Sequence, residues 1–268
     1  MKTLSRNTLK ITLALMLLVA MFGAGYNSSV AYAATCTPTV FKDLYAKTGT
    51  ATLFGTTSVN IWGYSALELD AAGIPGPVLD VNAGDCVQVT LHNFDIPEAT
   101  SLLFQGQEMI PDTTGVAAGS SAVYIFSASS PGTFLYEAGL TPNGQHQVAM
   151  GLYGALVVRP ITPGQAYDDP ATAFTKETVL VLSELDTTLN TVLPAAPSAD
   201  PGGFDIRNYT PKYFLINGKA YPGTGSFIVD PGDQVLLRYV NAGLQAHSLS
   251  TLGLTQTIIG QDGSPYTQ

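Results

Sequence analysis

The sequence predicts an all-β fold, and three observations carry that reading. Downstream of the N-terminal segment, short runs rich in Val, Ile, Tyr, Phe and Thr are broken by Gly, Pro, Asn and Asp, which is strand and turn punctuation. Within residues 86–92, Val87, Val89 and Leu91 fall on one face and Cys86, Gln88, Thr90 and His92 on the other, the period-2 signature of a half-buried strand. The segment VNAGDCVQVTLHN at residues 81–93 recurs as VDPGDQVLLRYVN at residues 229–241, a constant offset of 148, so one fold is expected to occur twice. Short strands with turns between them point to sandwiches or barrels.

Taken in order, the chain opens with Lys2, Arg6 and Lys10, an apolar run over residues 11–22, and Ala31-Tyr32-Ala33, a small-residue cleavage pattern. Residues 1–33 read as a secretory signal peptide, and the protein is expected to be secreted or extracytoplasmic. The apolar run is shorter than the roughly 20 residues of a membrane-spanning helix, so an uncleaved anchor is the alternative. Those residues carry three basic side chains and no acidic one, and their removal takes the formal charge from −9 to −12. Such a surface excludes nucleic acid, whose phosphates require a basic patch.

Cys36 and Cys86 are the only cysteines. In an oxidising compartment they pair most simply as a disulfide. Thiolate ligation of copper or zinc is the other use, and His92 is the one histidine near either cysteine.

Candidate strands follow at residues 51–62, 86–92, 101–104, 122–126, 133–136 and 152–158. A polar Gly- and Gln-rich loop joins the last two. Pro160, Asp168, Asp169 and Pro170 mark a linker over residues 161–171, because Pro and paired acids interrupt strands. Strand patterning resumes at residues 177–185, 213–216, 226–229 and 235–240. Residues 186–211 are long, Pro- and Asp-rich and aperiodic, and read as a surface excursion. The units are therefore a first domain over residues 36–160 and a second over residues 172–268. A looser match of SLLFQG at residues 101–106 to SLSTLG at residues 248–253 extends the repeat. Since 54 residues separate Gly106 from Pro160 and only 15 separate Gly253 from Gln268, the second unit is expected to be incomplete.

Five stretches carry a family resemblance. Residues 81–93 followed by PEATSLLFQG at 97–106, PGTFLYEAG at 131–139 and QVAMGLYGALVVRP at 147–160 resemble the first cupredoxin (plastocyanin-like) domain of a multicopper oxidase. INGKAYPGTGSFIVDPGDQVLLRYVNAG at residues 216–243 is similar to the second. The resemblance implies tandem cupredoxin-like Greek-key β-sandwiches and, for the family, copper-dependent oxidoreductase activity in which electrons pass from a blue copper to a three-copper cluster that reduces dioxygen. It also implies that the first domain supplies two histidine pairs, since imidazole suits copper and alternate strand residues point the same way.

In this chain the positions of the first pair hold Leu103 and Gln105, and those of the second hold Glu137 and Gly139. Leucine and glycine offer no ligand, an amide is a weak copper ligand, and one carboxylate cannot hold a cluster. His92, His146 and His247 are the only histidines, too few for a three-copper centre. His92 is expected to be a surface or hydrogen-bonded residue and His146 a solvated loop residue, with a displaced ligand as the alternative. His247 is expected to be structural, because the family's second domain usually binds no copper. Ser248 and Ser250 beside His247 lack the strained nucleophile turn of a hydrolase. Asp168, Asp169, Asp230 and Asp233 lack the spacing of a calcium loop and read as turn formers, and Trp62 reads as core.

The expectation is therefore an exported multicopper-oxidase-like scaffold with no catalytic, cofactor or metal residues in this chain, copper entering only through the family resemblance. Two alternatives stand beside it. The chain is the N-terminal part of a copper-dependent oxidoreductase whose copper lies in a further C-terminal cupredoxin domain, or it is a non-enzymatic secreted binding or cell-surface protein. The reductant or protein partner is not specified by the residues.

Overall fold

The computed structural model describes residues 29–32, 36–192 and 204–266. Of residues 1–35 it describes only β1 (Ser29–Tyr32); residues 1–28 and 33–35, and with them most of the expected signal peptide, lie outside the described residues.

Two sheets make the first sandwich. One has the order β1-β7-β5-β2-β3 and is built from β2 (Val40–Phe54), β3 (Thr57–Ser65), β5 (Cys86–Asn93) and β7 (Ser120–Ser127), with β1 parallel to β7 at its edge. The other has the order β4-β9-β8-β6, from β4 (Leu79–Asn82), β6 (Leu102–Phe104), β8 (Gly132–Ala138) and β9 (Tyr153–Arg159). Alternation decides what lies between them: Val87, Val89 and Leu91 of β5 are at most 1% exposed and share one core with Leu102, Phe104, Tyr136, Leu156 and Val158. Trp62 is fully buried in the same core. The disulfide Cys36–Cys86 ties the segment preceding β2 to the start of β5.

A third sheet follows in the order β12-β11-β10-β13, comprising β10 (Lys176–Leu185), β11 (Tyr213–Ile216), β12 (Lys219–Ala220) and β13 (Val235–Asn241). Its pairing repeats that of the first sheet: β2 is parallel to β5 and antiparallel to β3, as β10 is parallel to β13 and antiparallel to β11. A small hairpin, β14 (Gly260–Gln261) and β15 (Ser264–Pro265), completes the described elements.

The third sheet packs on the outer face of the second. Leu135, Tyr153 and Ala155 meet Val181, Val240 and Ala242 in an apolar layer. A polar chain crosses the same seam: Asp80 pairs with Arg159 at 2.7 Å, Arg159 pairs with Glu177, Glu177 accepts from Arg238 at 2.9 Å, and Arg238 donates to Thr133 Oγ1 at 3.0 Å. Arg238 is 5% exposed, and guanidinium suits this role because its planar fork can serve two acceptors at once.

Several expectations need correction. Residues 51–62 are the arms of a hairpin, since Gly55 takes φ +50° and turns the chain between β2 and β3. The loop between β8 and β9 contains a helix, α1 (Gly144–Met150), which buries Gly144, Gln147 and Met150 at spacing three. Residues 226–229 form no strand. The described part of residues 186–211 is anchored: Leu189 and Asn190 are fully buried, and Asn190 donates to Asn60 O at 3.0 Å.

The loop closed by Cys36 and Cys86 spans 50 residues, and cross-links of that size constrain the unfolded chain strongly. Cys36→Ser/Cys86→Ser should lose about 2–4 kcal/mol in urea unfolding relative to the oxidised parent. Equal midpoints for the two proteins would show that the bridge contributes nothing.

Candidate functional site

The four positions singled out by sequence come together at one end of the β6–β8 pair. Leu103 lies opposite Glu137 in the antiparallel register, and Gln105 continues past the end of β6. The Gln105 amide donates to Glu137 Oε1 at 2.5 Å. Gly139 accommodates no side chain, because a Cβ there would lie 2.3 Å from Ser101 Oγ. Its N–H donates instead to Ser101 O at 2.9 Å.

These groups do not fit copper. The donor set is one amide and one carboxylate, and each is engaged with the other, while Leu103 and Gly139 contribute no ligand atom. Among the described residues no group of three or more His, Cys, Asp and Glu is arranged to hold a metal ion.

The three histidines lie apart from this cluster in separate hydrogen-bonded settings. His92 on β5 bridges Asp43 Oδ1 at 2.9 Å and Ser121 Oγ at 2.8 Å, and stacks on Tyr45 with ring centroids 4.4 Å apart. His146 corrects the solvated-loop expectation: it lies in α1 with its ring edge-on to Phe204, and its Nδ1 is buried without a hydrogen-bond partner among the described residues. His247 contacts Glu184 Oε1 at 2.8 Å. Glu184 is 3% exposed and also accepts from Leu244 N at 2.9 Å and Gln245 N at 3.2 Å, so one buried carboxylate fastens the loop after β13. The acidic turn residues act locally. Asp169 accepts from Ala171 N, while Asp230 and Asp233 pair with Lys176.

Sequence reasoning passed over Gln147 and Glu184. Gln147 is fully buried and its amide donates to Glu98 Oε2 at 3.0 Å and Ala99 O at 2.9 Å, pinning α1 to the segment before β6. Neither residue announces itself in sequence, because each is an ordinary polar residue whose burial comes from tertiary packing. A cleft of about 370 Å³ lined by Asp186, Thr188, Phe204 and Lys212 lies away from the Gln105–Glu137 pair.

The comparisons with known proteins bear on this geometry. Residues 58–163 match the multicopper oxidase family model. Residues 58–163 are thus similar to a multicopper oxidase domain. It is 27% identical to the multicopper oxidase MmcO of Mycobacterium tuberculosis over 216 residues, which are 72% of this chain and 42% of that protein. It is 32% identical over 96 residues to the copper-containing nitrite reductase of Neisseria meningitidis, covering 32% of this chain and 23% of the relative. The chain thus spans less than half the length of these curated relatives. The crystal structure of the blue copper oxidase from Nitrosomonas europaea superposes with a TM-score of 0.70 at 26% identity, covering 84% of this chain and 68% of that one.

Burial raises the Glu137 carboxyl above its usual range, and the Gln105 hydrogen bond offsets part of the rise. The native state therefore holds this proton more tightly than the unfolded chain. The contribution to stability is full below the unfolded value of about 4.3 and is lost as pH rises through the native value. Glu137→Gln should accordingly gain stability relative to the parent between about pH 4 and about pH 7 in urea unfolding. A difference that is flat or moves the other way contradicts this.

Proposed function

We propose that this chain is an exported cupredoxin scaffold of the multicopper oxidase type that does not assemble a three-copper centre and does not reduce dioxygen on its own. It is read as two units, residues 36–160 and 172–268, joined by residues 161–171. The observation that carries the reading is the Gln105–Glu137 amide–carboxylate pair, which occupies positions where the resemblance calls for imidazoles. Close packing of Gly139 against Ser101 supports it, since a histidine at 139 would require the β8 end to move. Export is supported by the basic and apolar N-terminal pattern and by a disulfide, a bond that persists in oxidising compartments.

Such a scaffold serves as a rigid module that positions or binds a partner. One observation favours a second reading: the chain covers 42% of the Mycobacterium tuberculosis multicopper oxidase. On that reading it is the front part of a copper-dependent oxidoreductase whose metal is bound by residues elsewhere.

Purified chain incubated with copper and dialysed should show no blue absorbance and no stoichiometric metal by atomic absorption. Retention of about one copper or more per chain would overturn the proposal, because tight stoichiometric binding requires a preformed ligand set.

A further inference from the structure

A hydroxyl, an imidazole and a carboxylate stand in line on the outer face of the first sheet. β2, β5 and β7 are neighbours there, and their register sets Tyr45 beside His92 and His92 beside Ser121, with Asp43 two residues from Tyr45 on β2. Alternation sends Leu44, Leu91 and Ala122 into the core, so Asp43, His92 and Ser121 share the opposite face. Ser121 Oγ lies 2.8 Å from His92 Nδ1, and His92 Nε2 lies 2.9 Å from Asp43 Oδ1.

The chemistry of the partners fixes the direction of each hydrogen bond. An ionised carboxylate only accepts, so the neutral His92 ring carries its proton on Nε2 and donates to Asp43. Nδ1 is then a lone pair, and the Ser121 hydroxyl donates to it. That is the polarity of a nucleophile, its base and the group that orients the base, with the two ring nitrogens exchanged relative to the usual serine triad; such constellations are recognised by geometry and not by chain position. The ring is held a second way, because Tyr45 stacks on it with centroids 4.4 Å apart and planes 13° from parallel. Exposure is graded along the line: the side chains of Asp43 and His92 are 53% and 29% exposed, and Ser121 is 7% exposed. Water therefore reaches the base, whereas only a small group reaches the hydroxyl.

We propose that Ser121, His92 and Asp43 form a serine acyl-transfer relay that accepts small acyl groups carried on good leaving groups, such as aryl acetates. Ser121 Oγ attacks the acyl carbon while its proton passes to His92 Nδ1. The Oγ–C bond forms, the ester C–O bond breaks, and the departing phenolate takes the proton from Nδ1. Water then attacks the acyl-serine with His92 again as base, which releases the carboxylic acid and restores the hydroxyl. Asp43 is a positioning residue: it touches no substrate, holds Nε2–H and offsets the charge of the imidazolium. The three residues supply a nucleophile, a base and its orienter but no oxyanion donor, so a good leaving group has to lower the rest of the barrier. The inference stands on the outer face of the first sheet and is independent of the copper reading.

The test uses the full chain in chelator, given p-nitrophenyl acetate and, separately, a fluorophosphonate probe, with the modified residue located by peptide mass spectrometry. The probe should label Ser121 in the folded chain and not in urea, which reads the relay without any substitution. Release of p-nitrophenolate should be about 100-fold slower in Ser121→Ala and in His92→Gln, the size of effect that general-base assistance supplies. Asp43→Asn should slow it as well, and Asp43→Glu should recover most of the rate. Circular dichroism identifies any variant that fails to fold, and the labelling of the parent then decides. The proposal is overturned if the folded chain leaves Ser121 unlabelled, or if the label falls on Tyr45 or a lysine instead. It is equally overturned if Ser121→Ala, His92→Gln or Asp43→Asn hydrolyses the ester at the parent's rate, or if Asp43→Glu fares no better than Asp43→Asn.

Discussion

A β-strand has two faces, and each must be covered by something it can tolerate. That constraint organises this molecule. In β5 the apolar face forms the core of the first sandwich and the polar face, with Gln88, Thr90 and His92, lies towards solvent. In its repeat, β13, the apolar positions keep their place but the alternate face changes chemistry to Leu236, Arg238 and Val240, and this face docks on the first sandwich. The two halves meet through this face of the second copy, whose residues differ from those that the first copy leaves half-exposed. Arg238 makes the seam specific: its charge is matched by Glu177, and the chain of contacts runs on through Arg159 to Asp80. Breaking one member of a buried pair leaves the other uncompensated, which costs more than the pair itself contributes.

The same logic explains how the end of the β6–β8 pair holds together. Core strands β5, β8 and β9 are held by apolar burial and backbone ladders. At the end of the β6–β8 pair, Gln105 and Glu137 satisfy each other and Gly139 closes against Ser101. The Gln105 amide and the Glu137 carboxylate form their own contact there. Tyr153, beside Glu137 in the register, donates to Ser183 at 2.8 Å across the seam, and burial pushes its phenol up to about 12, so the hydroxyl stays protonated as a donor at neutral pH.

Much of the fold was legible because period-2 alternation is written residue by residue. Val87, Val89 and Leu91 announced both the strand and its buried face, and the repeat at offset 148 anticipated a second sheet with the same pairing. The clustering of residues 103, 105, 137 and 139 was legible through the family resemblance, which carries register information that spacing alone does not. What escaped had a common cause. α1 lacks a side-chain N-cap bond and has no acidic or basic residue to mark its ends, so GQHQVAM read as loop. Residues 226–229 have strand composition but no strand beside them, and composition cannot supply a partner. Gln147 and Glu184 are buried by elements distant in sequence, which no local pattern records.

The central claim is that the native state owes none of its stability to bound metal. Thermal unfolding of the purified chain in chelator, compared with unfolding in excess copper, tests it most directly, because any ligand that binds the native state preferentially raises Tm with concentration. The account predicts midpoints that agree within about 1 °C, with no dependence on copper concentration. A midpoint that climbs by about 5 °C or more and follows the copper added would contradict it.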